Sequence, residues 1–195
     1  AANAHVGLHT AWQDSTPMVL FVVLSQVAHR DREAFQEFDI KGWFDTGAKR
    51  VMVLDHPERA SEIVAEAMFA AMSGRPGPVV VGLPEDIIRE MVDPTQHPII
   101  PVAPGGMTVT DWKQLKAALE ESTKPLFVVG GNDWTAEGVA TLTSWLEEHH
   151  IAAAVEWRCE GNVPFSSPSY VGPLGYRRPT PTYDLFEETD LLVFV

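Results

Sequence analysis

Short runs of consecutive apolar residues alternate along the chain with longer segments in which apolar residues recur every three or four positions. Uninterrupted apolar runs rich in β-branched residues are typical of strands buried on both faces of a parallel sheet. We predict strands at residues 18–24, 51–54, 79–83, 126–129 and 151–157, and a further strand pattern closes the chain at 190–195. Strands that alternate with helices predict an α/β fold with two doubly wound, mainly parallel-sheet domains, both incomplete in this chain.

Helical periodicity predicts the elements between these strands. We expect one helix at residues 3–14 and a second that begins near Pro57. A third is expected with Thr110 as its N-cap, and a fourth after Asp133. The helix after Pro57 is expected to lay one apolar stripe on the sheet, formed by Ala60, Ile63, Val64, Ala67, Met68 and Ala71.

The segment at residues 74–86 marks the end of that helix. Gly74 can close a helix in the left-handed conformation, and Pro76 and Pro78 prevent the helix from continuing. The strand at 79–83 then completes a βαβ unit with the strand at 51–54, for which a right-handed crossover is expected.

A composition shift divides the chain in two. Residues 87–108 contain four prolines and a Gly-Gly pair, which keep a chain extended and mark a linker. We therefore predict one domain at residues 1–86 and a second at residues 109–195.

Composition excludes some classes of partner. The chain has 27 acidic and 14 basic residues, a formal net charge of -13, and no cluster of Lys or Arg, so no nucleic-acid partner is expected. The single cysteine, Cys159, suits a reducing compartment, and the longest apolar run, residues 17–24, is too short to span a membrane. We expect a cytoplasmic location and no membrane partner. Because the chain opens without Met and closes within a strand pattern, we expect it to be part of a longer polypeptide.

The polar loop at residues 25–39 follows the first predicted strand and is the main candidate site. Ligands of open α/β sheets bind at the carboxyl ends of the strands, where this loop begins. Phe35 can wall a pocket, and the Gln36 carboxamide can both donate and accept hydrogen bonds. The alternative is that Phe35 packs on the sheet and Gln36 caps a turn. No metal ligand is predicted, because His5 and His9 lack a third partner and are expected at a packing surface.

Six motifs follow one another in a family-specific order, at residues 3–4, 12–19, 26–27, 34–37, 48–49 and 74–86. With this spacing, the first half of the chain resembles the thiamine-diphosphate-dependent enzymes of the acetolactate synthase type. The resemblance implies that residues 1–86 are the C-terminal part of a pyrimidine-binding domain. It also implies that Phe35 and Gln36 flank the reacting thiazolium ring as catalytic residues. Lys49 matches a lysine near the substrate entrance of the family, although a solvated surface charge is the alternative.

Residues 109–195 resemble the N-terminal part of the family's central, Rossmann-like domain. Its Gly130-Gly131 turn between a strand and a helix can offer backbone N–H groups to a phosphate, so these glycines are the predicted cofactor-binding residues. In the family this domain binds FAD, ADP or no cofactor. Residues 176–178 depart from the pattern of flavin-bearing members, so FAD binding is possible but is not assumed. Arg177 and Arg178 either bind a phosphate or face water.

The resemblance also implies a function. The whole enzyme would use thiamine diphosphate and Mg²⁺ to decarboxylate a 2-keto acid and join the product to an acceptor carbonyl, as a homodimer or homotetramer. The family's cofactor-activating Glu would precede Asn3 and its Gly-Asp-Gly metal motif would follow Val195, so most cofactor ligands would lie outside this chain. We therefore expect the chain alone to be inactive. The alternative is a non-catalytic flavin- or nucleotide-binding or dimerisation module.

Overall fold

The structure is a computed structural model that describes residues 1–93, 95–103, 105–176 and 179–195. The protein divides into two compact units, Ala1–Pro104 and Gly105–Val195. The domain bounds and the linker at residues 87–108 stay a prediction, and two linker prolines, Pro94 and Pro104, lie outside the described residues. Within the described part of the chain, every helix is too short or too polar to cross a bilayer.

The first unit is built on a parallel three-stranded sheet. Its strands are β1 (Met18–Leu24), β2 (Arg50–Val53) and β3 (Pro78–Pro84), in the order β1-β3-β2. Its helices are α1 (His5–Gln13), α2 (Ile40–Phe44) and α3 (Ala60–Met72). Short 3₁₀ turns lie at Ala2–Ala4, Val27–His29, Pro57–Arg59 and Ile87–Arg89. The three predicted strands of this half are confirmed, with bounds that agree to within one residue.

The central strand β3 forms the middle of the first unit's core. Val79, Val80 and Val81 are fully buried, as expected for a central parallel strand covered on both faces. Val80 belongs to a cluster with Leu8 of α1 and Phe44 of α2, whereas Val79 and Val81 belong to a cluster with α3. Helices therefore cover both faces of this sheet.

The apolar stripe of α3 is narrower than predicted. Ile63, Ala67 and Ala71 are buried, whereas Val64 and Met68 are 43% and 45% exposed. The buried residues recur every fourth position, and Val64 and Met68 lie one residue further along, about 100° around the helix. The prediction that Val64 and Met68 face the sheet is therefore wrong.

Arg75 connects the turn after α3 to the end of α1. Its guanidinium donates to the carbonyl oxygens of Trp12 at 2.9 Å and Gln13 at 3.3 Å, and to Ser15 Oγ at 2.8 Å. A cation at a helix C-terminus compensates the negative end of the helix dipole and satisfies carbonyls that have no partner within the helix. Gly74, which precedes it, has the left-handed φ of 57° that the turn requires.

The second unit is built on a parallel four-stranded sheet in the order β6-β5-β4-β7. Its strands are β4 (Pro125–Val129), β5 (Ala152–Glu156), β6 (Tyr170–Leu174) and β7 (Leu191–Phe194), and its helices are α4 (Val109–Glu121), α5 (Ala136–Glu148) and α6 (Thr180–Glu188). The parallel sheets of both units confirm the predicted α/β class. Sequence reasoning missed both β6 and α6. For β6 the reason is that Gly172 and Pro173 interrupt its apolar run.

The N-terminus of α4 is capped two residues earlier than predicted. Thr108 Oγ1 accepts from the Asp111 N–H at 3.1 Å, and the Asp111 carboxylate accepts from the Thr108 N–H at 3.2 Å. This reciprocal pair is a capping box, and Thr110 lies inside the helix.

One carboxylate ties the amino ends of β4 and β7 together. Asp190 accepts hydrogen bonds from the hydroxyls of Ser122 and Thr123 and from the N–H groups of Thr123 and Lys124. The Ser122 hydroxyl, followed by the Thr123 donors, holds the pKa of Asp190 far below its ordinary value. Because these partners are more than sixty residues away in sequence, Asp190 joins two distant parts of the sheet.

Candidate functional site

The loop at residues 25–39 leaves the carboxyl end of β1 and is anchored to the ends of the two other strands. Asp86, two residues after β3, accepts the Val27 N–H with both carboxylate oxygens, at 3.1 and 3.0 Å. Arg30 forms an ion pair of 2.8 Å with Asp55, two residues after β2. The loop thus lies at the carboxyl edge of the sheet, where parallel α/β sheets bind ligands.

Phe35 and Gln36 form the tip of a tight turn in this loop. The Glu37 N–H donates to the Ala34 carbonyl oxygen at 2.9 Å and closes the turn around the two residues. Gln36 has a φ of 63°, and the Phe35 side chain is 90% exposed. The alternative in which Phe35 packs on the sheet is therefore wrong, and the tip presents both residues outward.

Glu37 closes the same turn with its side chain. Its carboxylate accepts from the Asp31 N–H at 2.5 Å and from the Ala34 N–H at 2.9 Å. These N–H groups, Ala34 first, lower the pKa of Glu37 below its ordinary value. Asp31, Glu33 and Gln36 all have left-handed φ angles, between 54° and 63°, which cost roughly 1–2 kcal/mol each in residues that carry a Cβ. The hydrogen bonds therefore hold a conformation that the backbone alone disfavours.

A hollow of about 410 Å³ lies beside this turn, between the loop and the carboxyl ends of β1 and β2. Its apolar wall includes Leu24 and Ile40, and its polar wall carries three carboxylates and two cations, which are Asp31, Glu37, Asp39, Arg30 and Lys41. The carboxylates of Glu37 and Asp39 bind backbone N–H groups of the loop and of the start of α2. The polar wall thus serves chiefly to fold the loop.

Lys49 lies at the other edge of the same sheet. It precedes β2, and its backbone N–H donates to the Pro78 carbonyl oxygen at 2.7 Å. Its ammonium donates to the carbonyl oxygen of Ser73, the C-cap of α3, at 2.5 Å, and burial lowers its pKa. Because β1 and β2 are both parallel to β3, the amino end of β2 and the carboxyl end of β1 lie at opposite edges. The structure therefore brings Phe35 and Gln36 together and places Lys49 apart from them.

The Gly130-Gly131 turn follows β4 at the carboxyl edge of the second sheet. The Gly130 carbonyl oxygen accepts from the indole of Trp134 at 2.7 Å and from the Asn162 amide at 3.2 Å, and the Gly131 carbonyl oxygen accepts from Asn162 at 2.8 Å. Gly131 has a φ of 75°, which favours glycine. The chain's own side chains therefore close this turn.

A hollow of about 480 Å³ lies between this turn and the start of α5. Thr135 caps α5 by accepting the Gly138 N–H at 3.0 Å, so part of the helix N-terminus is already satisfied. Asp133 and Glu137 add negative charge near the turn, which opposes a phosphate. Arg177 and Arg178, the cations considered for a phosphate, lie outside the described residues.

Sequence reasoning missed the residues that hold the candidate loop, which are Glu37, Asp86, Arg30 and Asp55. Glu37 belongs to the 34–37 motif, and Asp86 ends the motif after β3, so both could have been noticed. Nothing in their residue type, however, indicates that they accept N–H groups of one loop.

One family model matches most of the second unit. Residues 112–195 match the family model described as the thiamine pyrophosphate enzyme, central domain.

Relatives cover almost the whole chain. An acetolactate synthase of Arthrospira platensis is 31% identical over 186 residues, which are 90% of this chain and 31% of the relative. The acetolactate synthase isozyme 2 large subunit of Escherichia coli K12 is 30% identical over 197 residues, 100% of this chain and 36% of the relative. The acetolactate synthase large subunit of Parasynechococcus marenigrum is 32% identical over 208 residues, 100% of this chain and 33% of the relative. The chain therefore spans about a third of the length of the relatives it matches.

Proposed function

We propose that the chain contributes one wall of a 2-keto acid decarboxylase and carboligase active site, because residues 112–195 match the central domain of thiamine pyrophosphate enzymes and acetolactate synthases match the chain along its length. Thiamine diphosphate, when bound, supplies the carbanion chemistry that lets a 2-keto acid lose carbon dioxide and attack an acceptor carbonyl. The role of this chain is to shape the active site and to exclude water from it.

The exposed turn tip is the observation that carries this proposal. Phe35 is a large apolar ring with 90% of its surface exposed, and a neutral carboxamide stands next to it at the carboxyl edge of the sheet. Such a pair fits an aromatic cofactor ring: Phe35 would pack on the ring and exclude water, and Gln36 would donate or accept a hydrogen bond without adding charge. We assign these two residues the catalytic roles.

The described residues suit the ring of the cofactor better than its diphosphate. They contain no group of three or more His, Cys, Asp or Glu side chains that could hold a metal ion. We therefore propose that Mg²⁺ and the diphosphate are held by residues outside this chain. For Lys49 we favour a structural role, since its ammonium binds the C-cap of α3 at the opposite edge.

We further propose that the working enzyme is a homodimer or homotetramer in the cytoplasm. The exposure of Phe35 supports a second subunit, because an aromatic side chain in a site that excludes water needs another surface to cover it. The single cysteine supports the cytoplasmic location.

An FAD or adenine nucleotide in the second unit is a second candidate. The hollow beside the Gly130-Gly131 turn and the start of α5 supports it, whereas the nearby Asp133 weighs against a phosphate. An absorbance spectrum of the purified full-length protein tests the FAD case, because bound FAD absorbs visible light, whereas thiamine diphosphate and an adenine nucleotide without flavin do not.

The main proposal is tested by incubating the full-length protein with pyruvate, thiamine diphosphate and Mg²⁺. We expect release of carbon dioxide that depends on both cofactors, and we expect the 195-residue chain alone to release none. A full-length protein that binds thiamine diphosphate yet decarboxylates no 2-keto acid would contradict the proposal and favour the non-catalytic module.

A further inference from the structure

Glu37 closes the turn that carries Phe35 and Gln36 in two ways. Its N–H donates to the Ala34 carbonyl oxygen, and one oxygen of its carboxylate accepts the Ala34 N–H, both at 2.9 Å. The other carboxylate oxygen accepts the Asp31 N–H at 2.5 Å. Each N–H group is accepted by a different oxygen of the carboxylate, whereas a glutamine offers one acceptor oxygen and an NH₂ group that only donates, so it cannot reproduce this pair of contacts.

The tip depends on this support. Phe35 is 90% exposed, so packing does not fix the direction of its ring. The φ of 63° at Gln36 is disfavoured for a residue with a Cβ, so the backbone would leave this conformation if released. Hydrogen bonds to a charged acceptor are stronger than neutral ones, which makes the Glu37 carboxylate the main restraint on the tip.

We propose that Glu37 is a positioning residue: its carboxylate holds the turn so that the Phe35 ring and the Gln36 carboxamide face the reacting ligand. This inference rests on the proposed function of Phe35 and Gln36. The lowered pKa of Glu37 supports it, because the N–H groups of Ala34 and Asp31 bind the charged form.

The test uses the full-length protein with three variants. E37Q removes the charge and one acceptor, E37D keeps the charge but shortens the side chain, and E33Q removes a neighbouring exposed charge as the matched control. Amide hydrogen exchange at Asp31 and Ala34 reports on the turn, and kcat and KM for pyruvate report on the reaction. Thermal unfolding of each variant shows that the fold is intact.

We expect E37Q to accelerate exchange of at least one of the two amides about tenfold and to lower kcat about tenfold with little change in KM. E37D should lie between E37Q and the wild type, and E33Q should match the wild type.

Unchanged exchange in folded E37Q would overturn the inference, whatever its activity. Faster exchange with an unchanged kcat, while Phe35→Ala does lower kcat, would overturn the positioning role and leave the proposed function standing. If Phe35→Ala and Gln36→Ala both keep the wild-type kcat, the proposed function fails and this inference fails with it.

Discussion

Two turns leave the carboxyl edge of a parallel sheet in this protein, and they are held in opposite ways. In the loop at residues 25–39, the carboxylates of Glu37 and Asp86 accept backbone N–H groups, and the tip points outward. In the turn at residues 130–135, the side chains of Trp134 and Asn162 donate to glycine carbonyls. In the first turn the side chains of Phe35 and Gln36 are exposed and can contact a ligand. In the second turn the Trp134 indole binds the turn's own backbone.

This difference separates two kinds of site. In the first turn, carboxylates bind the backbone, and the side chains at the tip stay exposed. Any ligand there would contact Phe35 and Gln36. A turn closed by its own indole presents a hollow beside a helix N-terminus, so any ligand there would be held by shape and backbone groups. This difference supports our proposal that the catalytic contribution lies in the first unit.

The largest expected effect is on stability, and it contrasts the exposed Phe35 with a phenylalanine of the core. Phe44 is fully buried in the core cluster that includes Val80 and stacks on His5 at 5.5 Å, whereas Phe35 is 90% exposed. Phe44→Ala should lower the free energy of unfolding by about 3–5 kcal/mol, because it leaves a cavity. Phe35→Ala should change it by less than about 0.5 kcal/mol. Urea unfolding measures both, and equal losses would show that the tip packs on the core after all.

The next effect concerns activity. If Phe35 and Gln36 contact the reacting group as we propose, Phe35→Ala and Gln36→Ala in the full-length protein should each lower kcat for 2-keto acid decarboxylation on the order of 10²-fold. Met91→Ala is the control, because Met91 is 97% exposed and lies outside the loop. A kcat that falls equally in all three variants would show a general defect and break the distinction between the two turns.

A smaller effect tests the second turn. Gly131→Ala should lower the free energy of unfolding by about 1–2 kcal/mol, because alanine disfavours a φ of 75°. Gly130→Ala should be nearly neutral, since the nearest atom to an added Cβ is 3.9 Å away. Urea unfolding of the two variants compares adjacent positions, and a larger loss for Gly130→Ala would mean that this turn is held differently from the description above.

The smallest effect is the pH dependence of the carboxylate contacts. The pKa of Asp190 is lower in the folded chain than in the unfolded one, so its contribution to stability is present above the unfolded value and is lost as pH falls through the folded value. Asp190→Asn should lower the urea midpoint at neutral pH and flatten its decline between about pH 5 and pH 2. Asp184→Asn, an exposed acid of α6, should keep the decline of the wild type. If Asp190→Asn keeps the same decline, the hydrogen bonds of Asp190 contribute nothing to stability that depends on its charge.

Much of the fold was predictable from local pattern. The strands at 18–24, 79–83 and 126–129 are apolar runs, and their identity does not depend on distant residues. β6 was missed because a glycine and a proline break its pattern, and Val64 and Met68 were misplaced because periodicity does not show how wide the covered face is. The residues Phe35 and Gln36 could be proposed as a site, but their turn could not, since three left-handed residues without glycine give no turn signal.

By itself, the sequence determined the α/β class, the strands of the first unit, and the candidate pair at positions 35 and 36, because apolar periodicity and adjacency are local properties of a chain. Only the tertiary structure decided that the tip points outward, that Lys49 lies at the opposite edge, and that Glu37, Arg75 and Asp190 hold the backbone. The physical reason is that a polar side chain acts through the partner it reaches, and for Arg75 and Asp190 that partner is some sixty residues away in sequence.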